Sequence, residues 1–160
     1  MKTSTSSPTH IRLKQARAAM GMTQAQAACA VGIKRPNLAA MESGRRPCSE
    51  DMLMRVLKAI KYRPSKAVTA FAPEALRCIE SYGGSDAVIF GSVADGTDNV
   101  RSDIDIAIRL PRFTSLSKLI EMTCELEEIF GVHVDVMDLD ILADLDAFYK
   151  RRTTTVKLAS

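Results

Sequence analysis

Residues 87 to 108 leave this chain little freedom in how it can fold. Ala87-Val88-Ile89-Phe90 is a short apolar run of the kind that forms a buried strand. Gly91-Ser92 ends it with a small-residue turn. About ten residues later, Asp103-Ile104-Asp105-Ile106-Ala107-Ile108 reads as a second strand with period two. Successive side chains leave opposite faces of a strand, so Asp103 and Asp105 share one face while Ile104, Ile106 and Ile108 share the other. The isoleucines require a core. The two carboxylates repel each other unless a cation lies between them, and hard oxygen ligands of this kind suit Mg2+. A small turn beside paired carboxylates is a place to hold a triphosphate and a divalent metal.

Charge divides the rest of the chain. Residues 1 to 66 hold 13 Lys/Arg and 3 Asp/Glu, a net of +10, and residues 67 to 160 hold 9 and 16, a net of −7. A basic half followed by an acidic half suggests a nucleic-acid-binding module joined to something else. The four cysteines, Cys29, Cys48, Cys78 and Cys124, form no Cys-x-x-Cys pair, and His10 and His133 lie far from any cysteine cluster. That argues against a structural zinc site and for free thiols in a reducing cytoplasm. The polar start, Met1 to Pro8, has no apolar stretch after it. It reads as a flexible arm over 1–9 and predicts neither a leader nor a membrane span.

The basic half carries helical signals. Ile11 to Met20 has helical spacing and stops at Gly21. Thr23 and Gln26 fit a capping box opening a second helix that ends near Ala30. Val31-Gly32 turns, and Lys34 to Gly44 forms a third helix with Pro36 in its first turn. Glu50 to Ile60 forms a fourth, with Met52, Leu53, Val56, Leu57 and Ile60 on its apolar face. Two short helices around a glycine turn make a helix-turn-helix. On Met22-Thr23-Gln24, Ala27-Ala28, Val31-Gly32-Ile33, Leu38, Met41-Glu42-Ser43-Gly44 and Arg45-Arg46, residues 10–62 resemble the phage-repressor/Cro (XRE) family. Ala27 and Ala30 stand where that family carries leucines, which predicts a thin core. The resemblance implies that Lys34, Arg35 and Asn37 approach base edges in the major groove. It also implies that Gln24 makes a phosphate or base contact and that Arg45 and Arg46 meet phosphates.

Lys61 to Ala72 contains Pro64 and lacks periodicity, so it reads as the joint, with the linker proper at 67–72. Domains of 1–66 and 67–160 follow, the first expected to fold without the second. A helix is predicted over Pro73–Tyr82, then the two strands above. A helix over Thr114–Phe130 follows, with Leu116, Leu119, Ile120, Thr123, Leu126 and Phe130 inward and Glu121, Glu125, Glu127 and Glu128 as a solvated face. Val132 to Val136 is a third strand that sets Asp135 opposite its valines. A short helix from about Ile141 to Tyr149 comes next. The tail, with Arg151 and Arg152, is either an edge strand or a frayed end.

Gly91, Ser92, Asp103 and Asp105, with Asp135 as a third acid, resemble the minimal (MNT) form of the DNA polymerase β-type nucleotidyltransferase superfamily over residues 73–150. Asp138 and Asp140 are weaker third-acid candidates. The resemblance implies an all-α helix-turn-helix domain followed by an α/β nucleotidyltransferase domain with a small mixed sheet. It implies Mg2+ held by Asp103, Asp105 and Asp135, and phosphates of ATP held by Gly91 and Ser92. Minimal members often serve as antitoxins that transfer AMP to a HEPN-type toxin, and the attached helix-turn-helix would bind operator DNA. A homodimer stays open. The chain departs at Asp95, where many members carry Arg, and Asp98 adds a second negative charge to the same turn. The competing reading is a non-enzymatic regulator whose degenerate transferase domain only binds a partner.

Overall fold

The computed structural model describes residues 7–148 and 153–158, with the side chain of residue 148 excepted. Five helices come first: α1 (Thr9–Ala19), α2 (Gln24–Val31), α3 (Arg35–Glu42), α4 (Glu50–Ala59) and α5 (Pro64–Ser81). The α/β part continues with β1 (Ser85–Phe90), α6 (Gly91–Ala94), β2 (Ile104–Arg109), α7 (Leu116–Phe130), β3 (Val134–Asp138), α8 (Leu139–Phe148) and β4 (Val156–Lys157). None of the described helices is long and apolar enough to cross a membrane.

Local chemistry accounts for the helical half. Thr23 accepts from Gln26 N, and Gln26 Oε1 accepts from Thr23 N, so the capping box closes in both directions. Gly32 ends α2 in the left-handed conformation (φ +75°) that glycine tolerates best. Ser49 caps α4, whose first turn carries Glu50 and Asp51 at the positive end of the helix dipole. Leu13, Ala16, Ala27, Leu38, Leu53, Val56 and Leu57 are buried between the four helices. Ala27 belongs to that core but Ala30 is exposed, so the thin packing expected at both positions applies at one.

The sheet is mixed, in the order β3-β2-β1-β4. β1 runs antiparallel to β2 and to β4, and β2 runs parallel to β3. The parallel pair needs a crossover, and α7 supplies it. Ile104, Ile106 and Ile108 are fully buried, as the alternation required. The tail is an edge strand, with Val156 opposite Ile89 and Lys157 opposite Val88. Arg151 and Arg152 lie outside the described residues, as do residues 1–6 of the expected arm. Ser7 is already buried and α1 begins at Thr9.

Three expectations are corrected. The linker at 67–72 lies within α5, which runs unbroken through Pro73. Pro64 at its first turn and the buried Ala67, Ala72, Ala75, Cys78 and Ile79 explain why: small residues let this helix pack closely, and packing outweighs the hydrogen bond that Pro73 cannot make. On α7, Leu116 and Ile120 are 71% and 52% exposed, so the buried face is set by Met122, Leu126 and Phe130. Glu127, expected in solvent, is 2% exposed.

Helices α1, α5 and α7 contact one another, and one continuous buried cluster runs from Leu13 and Leu53 through Ala67 and Ile79 to Ile106 and Phe130. Polar ties cross the same boundary. Gln15 donates to the Glu128 carbonyl at 3.2 Å. Arg63 donates to Asp98 Oδ1 at 2.6 Å and to the Gly96 carbonyl at 2.7 Å, and Ser65 N donates to Asp98 Oδ2 at 2.8 Å. Asp98 is therefore buried, neutralised by Arg63 and used as the N-terminal anchor of α5. It does not add free negative charge to the turn.

Candidate active site

Parallel pairing of β2 with β3 sets Asp105 directly opposite Asp135, and antiparallel pairing with β1 sets Asp105 opposite Phe90, the residue before the turn. The same alternation that buries Ile104 against Val134 turns both aspartates to the other face. Gly91 follows at φ +66°, and a Cβ on it would collide with Asp105 Oδ2. Glycine suits the left-handed backbone there, and its missing side chain leaves the space that the Asp105 carboxylate occupies. The chain then makes one helical turn, α6, before Thr97 N and Asp98 N both donate to the Ser92 carbonyl. Ser92 Oγ has no hydrogen-bond partner among the described residues. Asp95 is exposed at the C-terminal end of that turn.

The electrostatics are those of clustered like charges. Burial, the charge of Asp135 and the charge of Asp103 raise the Asp105 carboxyl above its ordinary range, with His133 opposing them. Asp103 and Asp105 make no ion pair or hydrogen bond within the described residues. As the side chains stand, those residues contain no group of three His, Cys, Asp or Glu closed tightly enough to hold an ion. Asp103 and Asp135 are exposed and flank the half-buried Asp105 in the chain and in the sheet register. An all-carboxylate donor set with a half-buried, unpaired member fits Mg2+. Asp138 and Asp140 do not compete: Asp138 Oδ1 accepts from Asp140 N, and Asp140 is paired with Arg109 at 2.7 Å at the far end of β2.

Glu127, missed in the sequence, borders the site together with His133, whose place two residues before Asp135 sets both on one face. Buried Glu127 Oε1 contacts His133 Nδ1 and accepts from Val134 N at 3.2 Å, while His133 Nε2 lies 3.3 Å from Asp135 Oδ1. Burial alone would lower the imidazole pKa, but the hydrogen bond to Glu127 and the charges of Glu127, Asp135 and Asp103 outweigh it and raise it. The sequence did hold a signal. Glu127 lies three residues before Phe130 and four after Thr123, on the apolar side of the helix.

In the helical half, Lys34, Arg35, Asn37, Arg45 and Arg46 are all exposed, at the start of α3 and just after its end. Arg46 Nη1 donates to Asn37 Oδ1 at 3.3 Å, and Arg45 Nε to Ser43 Oγ at 3.0 Å. Gln24 differs from them. It is half-buried, and its amide donates to Glu42 Oε2 at 3.0 Å. Glu42 is buried and also accepts from Arg17 at 2.6 and 3.1 Å, so Gln24 belongs to the polar cluster that joins α1, α2 and α3.

Comparison with known proteins agrees with both halves. Residues 74–158 match the nucleotidyltransferase domain family and residues 13–66 match a helix-turn-helix family. A protein of Methanocaldococcus jannaschii named "Putative protein adenylyltransferase" is 41% identical over 56 residues, which cover 35% of this chain and 60% of that protein. No solved structure matches significantly.

Proposed function

This chain belongs to the nucleotidyltransferase family, and on that footing we propose that it is a Mg2+-dependent protein adenylyltransferase that moves AMP from ATP to a HEPN-type toxin. Its helical half, acting in the cytoplasm, would bind operator DNA and control its own operon. The observation that supports the transfer reading is the pairing of Asp105 with Asp135 beside Gly91, with no cationic side chain among the described residues bonded to Asp103 or Asp105.

Asp103 and Asp105 would hold metal jointly, with Asp135 completing the set. Bound Mg2+ supplies positive charge to the attacking and leaving oxygens of the displacement. The remaining work falls to the chain. Gly91 and Ser92 would seat the β and γ phosphates, Gly91 by leaving space and Ser92 by its uncommitted hydroxyl. The acceptor hydroxyl oxygen bonds to the α phosphorus, the bond from that phosphorus to the β-phosphate oxygen breaks, and pyrophosphate leaves. The hydroxyl proton passes to Asp135. The relative's name supports adenylyl transfer to protein, although the match spans three fifths of that protein's length.

The second reading, a regulator without catalysis, is favoured by Asp95, an exposed acid on the turn that would face phosphate. The two readings separate when purified chain is incubated with α-labelled ATP, Mg2+ and the partner toxin. We expect label on a partner hydroxyl, lost in Asp103→Ala and Asp105→Ala while operator binding persists. No label with the wild-type chain, together with no Mg2+–ATP binding by calorimetry, would leave the regulator reading. If Asp95 weakens phosphate binding, Asp95→Arg should tighten it.

A further inference from the structure

We propose that Glu127 and His133 form a positioning relay that holds Asp135 in the orientation needed for the metal. This inference rests on the nucleotidyl-transfer reading above. Glu127 is an acid inside the core whose Oε1 both accepts from Val134 N at 3.2 Å and contacts His133 Nδ1. A buried carboxylate is costly unless it is hydrogen-bonded, so its retention here needs a reason. Its position supplies one. The contact at Nδ1 orients the imidazole, and its Nε2 lies 3.3 Å from Asp135 Oδ1. Asp135 is otherwise an exposed side chain with free rotamers, beside a strand partner whose charge repels it. Left alone, it would swing away from Asp105. Held at Oδ1 by His133, it would keep Oδ2 for the metal. Outer residues that orient a metal ligand commonly govern affinity in this way.

The relay also links the site to the core. Glu127 lies on α7, the crossover helix, and His133 on the short connection from α7 to β3. The helix thus sets the third acid through two side chains, neither of which touches the reacting atoms.

The test uses the full-length chain and two readouts. Mn2+ binding, followed by electron paramagnetic resonance with and without ATP, measures the ligand set without catalysis. Transfer of labelled AMP at graded Mg2+ measures its use. His133→Ala and Glu127→Gln should each weaken Mn2+ binding and raise the half-activating Mg2+ concentration by roughly 10- to 100-fold. The KM for ATP at saturating Mg2+ should stay near wild type. His133→Gln, which can still donate to Asp135, should recover part of the loss. Glu121→Ala, an exposed glutamate on the same helix, should change neither readout. A thermal melt accompanies each variant. If Glu127→Gln does not fold, His133→Ala and His133→Gln carry the test, since that side chain is 41% exposed.

Wild-type Mn2+ affinity in His133→Ala overturns the relay and leaves the transfer reading intact. Weakened Mn2+ binding in the variants, with no AMP transfer by wild type, supports the relay and removes the transfer reading. No Mn2+ binding by wild type overturns both.

Discussion

Asp105 sits where its own charge is disfavoured. Its folded pKa is raised by burial, by Asp135 and by Asp103. An acid whose pKa rises on folding contributes stability at low pH and loses it as pH climbs through the folded value. At neutral pH without metal, the ionised carboxylate therefore destabilises the fold. We expect Asp105→Asn to raise the Tm of the metal-free protein at pH 7, and the difference from wild type to shrink as pH falls below about 4, where the wild-type acid is protonated. Melts at both pH values check this, and an Asn variant less stable at pH 7 would contradict it. The same substitution should abolish transfer, because stability and function pull opposite ways at a site built from like charges. Asp105 and Asp135 were legible in the sequence because the two-residue strand period assigns faces without knowledge of partners, whereas Asp103, expected on the same strand, lies just before β2. Glu127 was legible only in its spacing to Thr123 and Phe130, which sets it on the apolar side of α7; its partner was not, because His133 is placed against it only by the turn after Phe130.

At the scale of elements, α3 meets its expectation in position and exposure, and its chemistry remains to be measured. Arg35→Ala and Asn37→Ala should each cost on the order of 1–3 kcal/mol in operator affinity if both read bases. Loss of Arg46, by contrast, should weaken specific and non-specific DNA alike and flatten the salt dependence. Mobility shifts across a salt series, on operator and scrambled fragments, separate the two. Equal loss on both fragments for Arg35→Ala would reassign it to phosphate. A helix start was easy to read where a side chain caps the backbone, as at Thr23. Starts were hard to read where packing decides. Pro73 looks like a helix start, and only the small buried residues on either side of it keep α5 intact. On α7, Leu116 and Ile120 fit the apolar period but lie beyond the reach of the core.

The molecule as a whole is less divisible than its charge suggests. The sign of charge changes near residue 66, yet α5 begins at Pro64 and its N-terminus is held by Asp98 from the acidic half. Charge reports on the surface, and the surface changes partner at a place where the core does not. A fragment of residues 1–68 keeps only the first five residues of α5 and exposes the face of α1 that packs on α5 and α7. We expect this fragment to melt well below the full chain, and the full chain to melt in one transition by calorimetry. Two separate transitions, with the first matching the fragment, would show that the halves are energetically independent.

A helix that belongs to both halves also limits how such a chain can be inherited. Recombination within residues 64–81 would join an α5 front to a foreign α5 back. The recombinant would have to match Arg63 and Ser65 to an acid equivalent to Asp98, and small residues to the helices they lie against. Exchange of DNA heads between relatives should therefore succeed where the crossover carries the whole of α5 and the turn that anchors it, and fail at the boundary that the charge pattern marks.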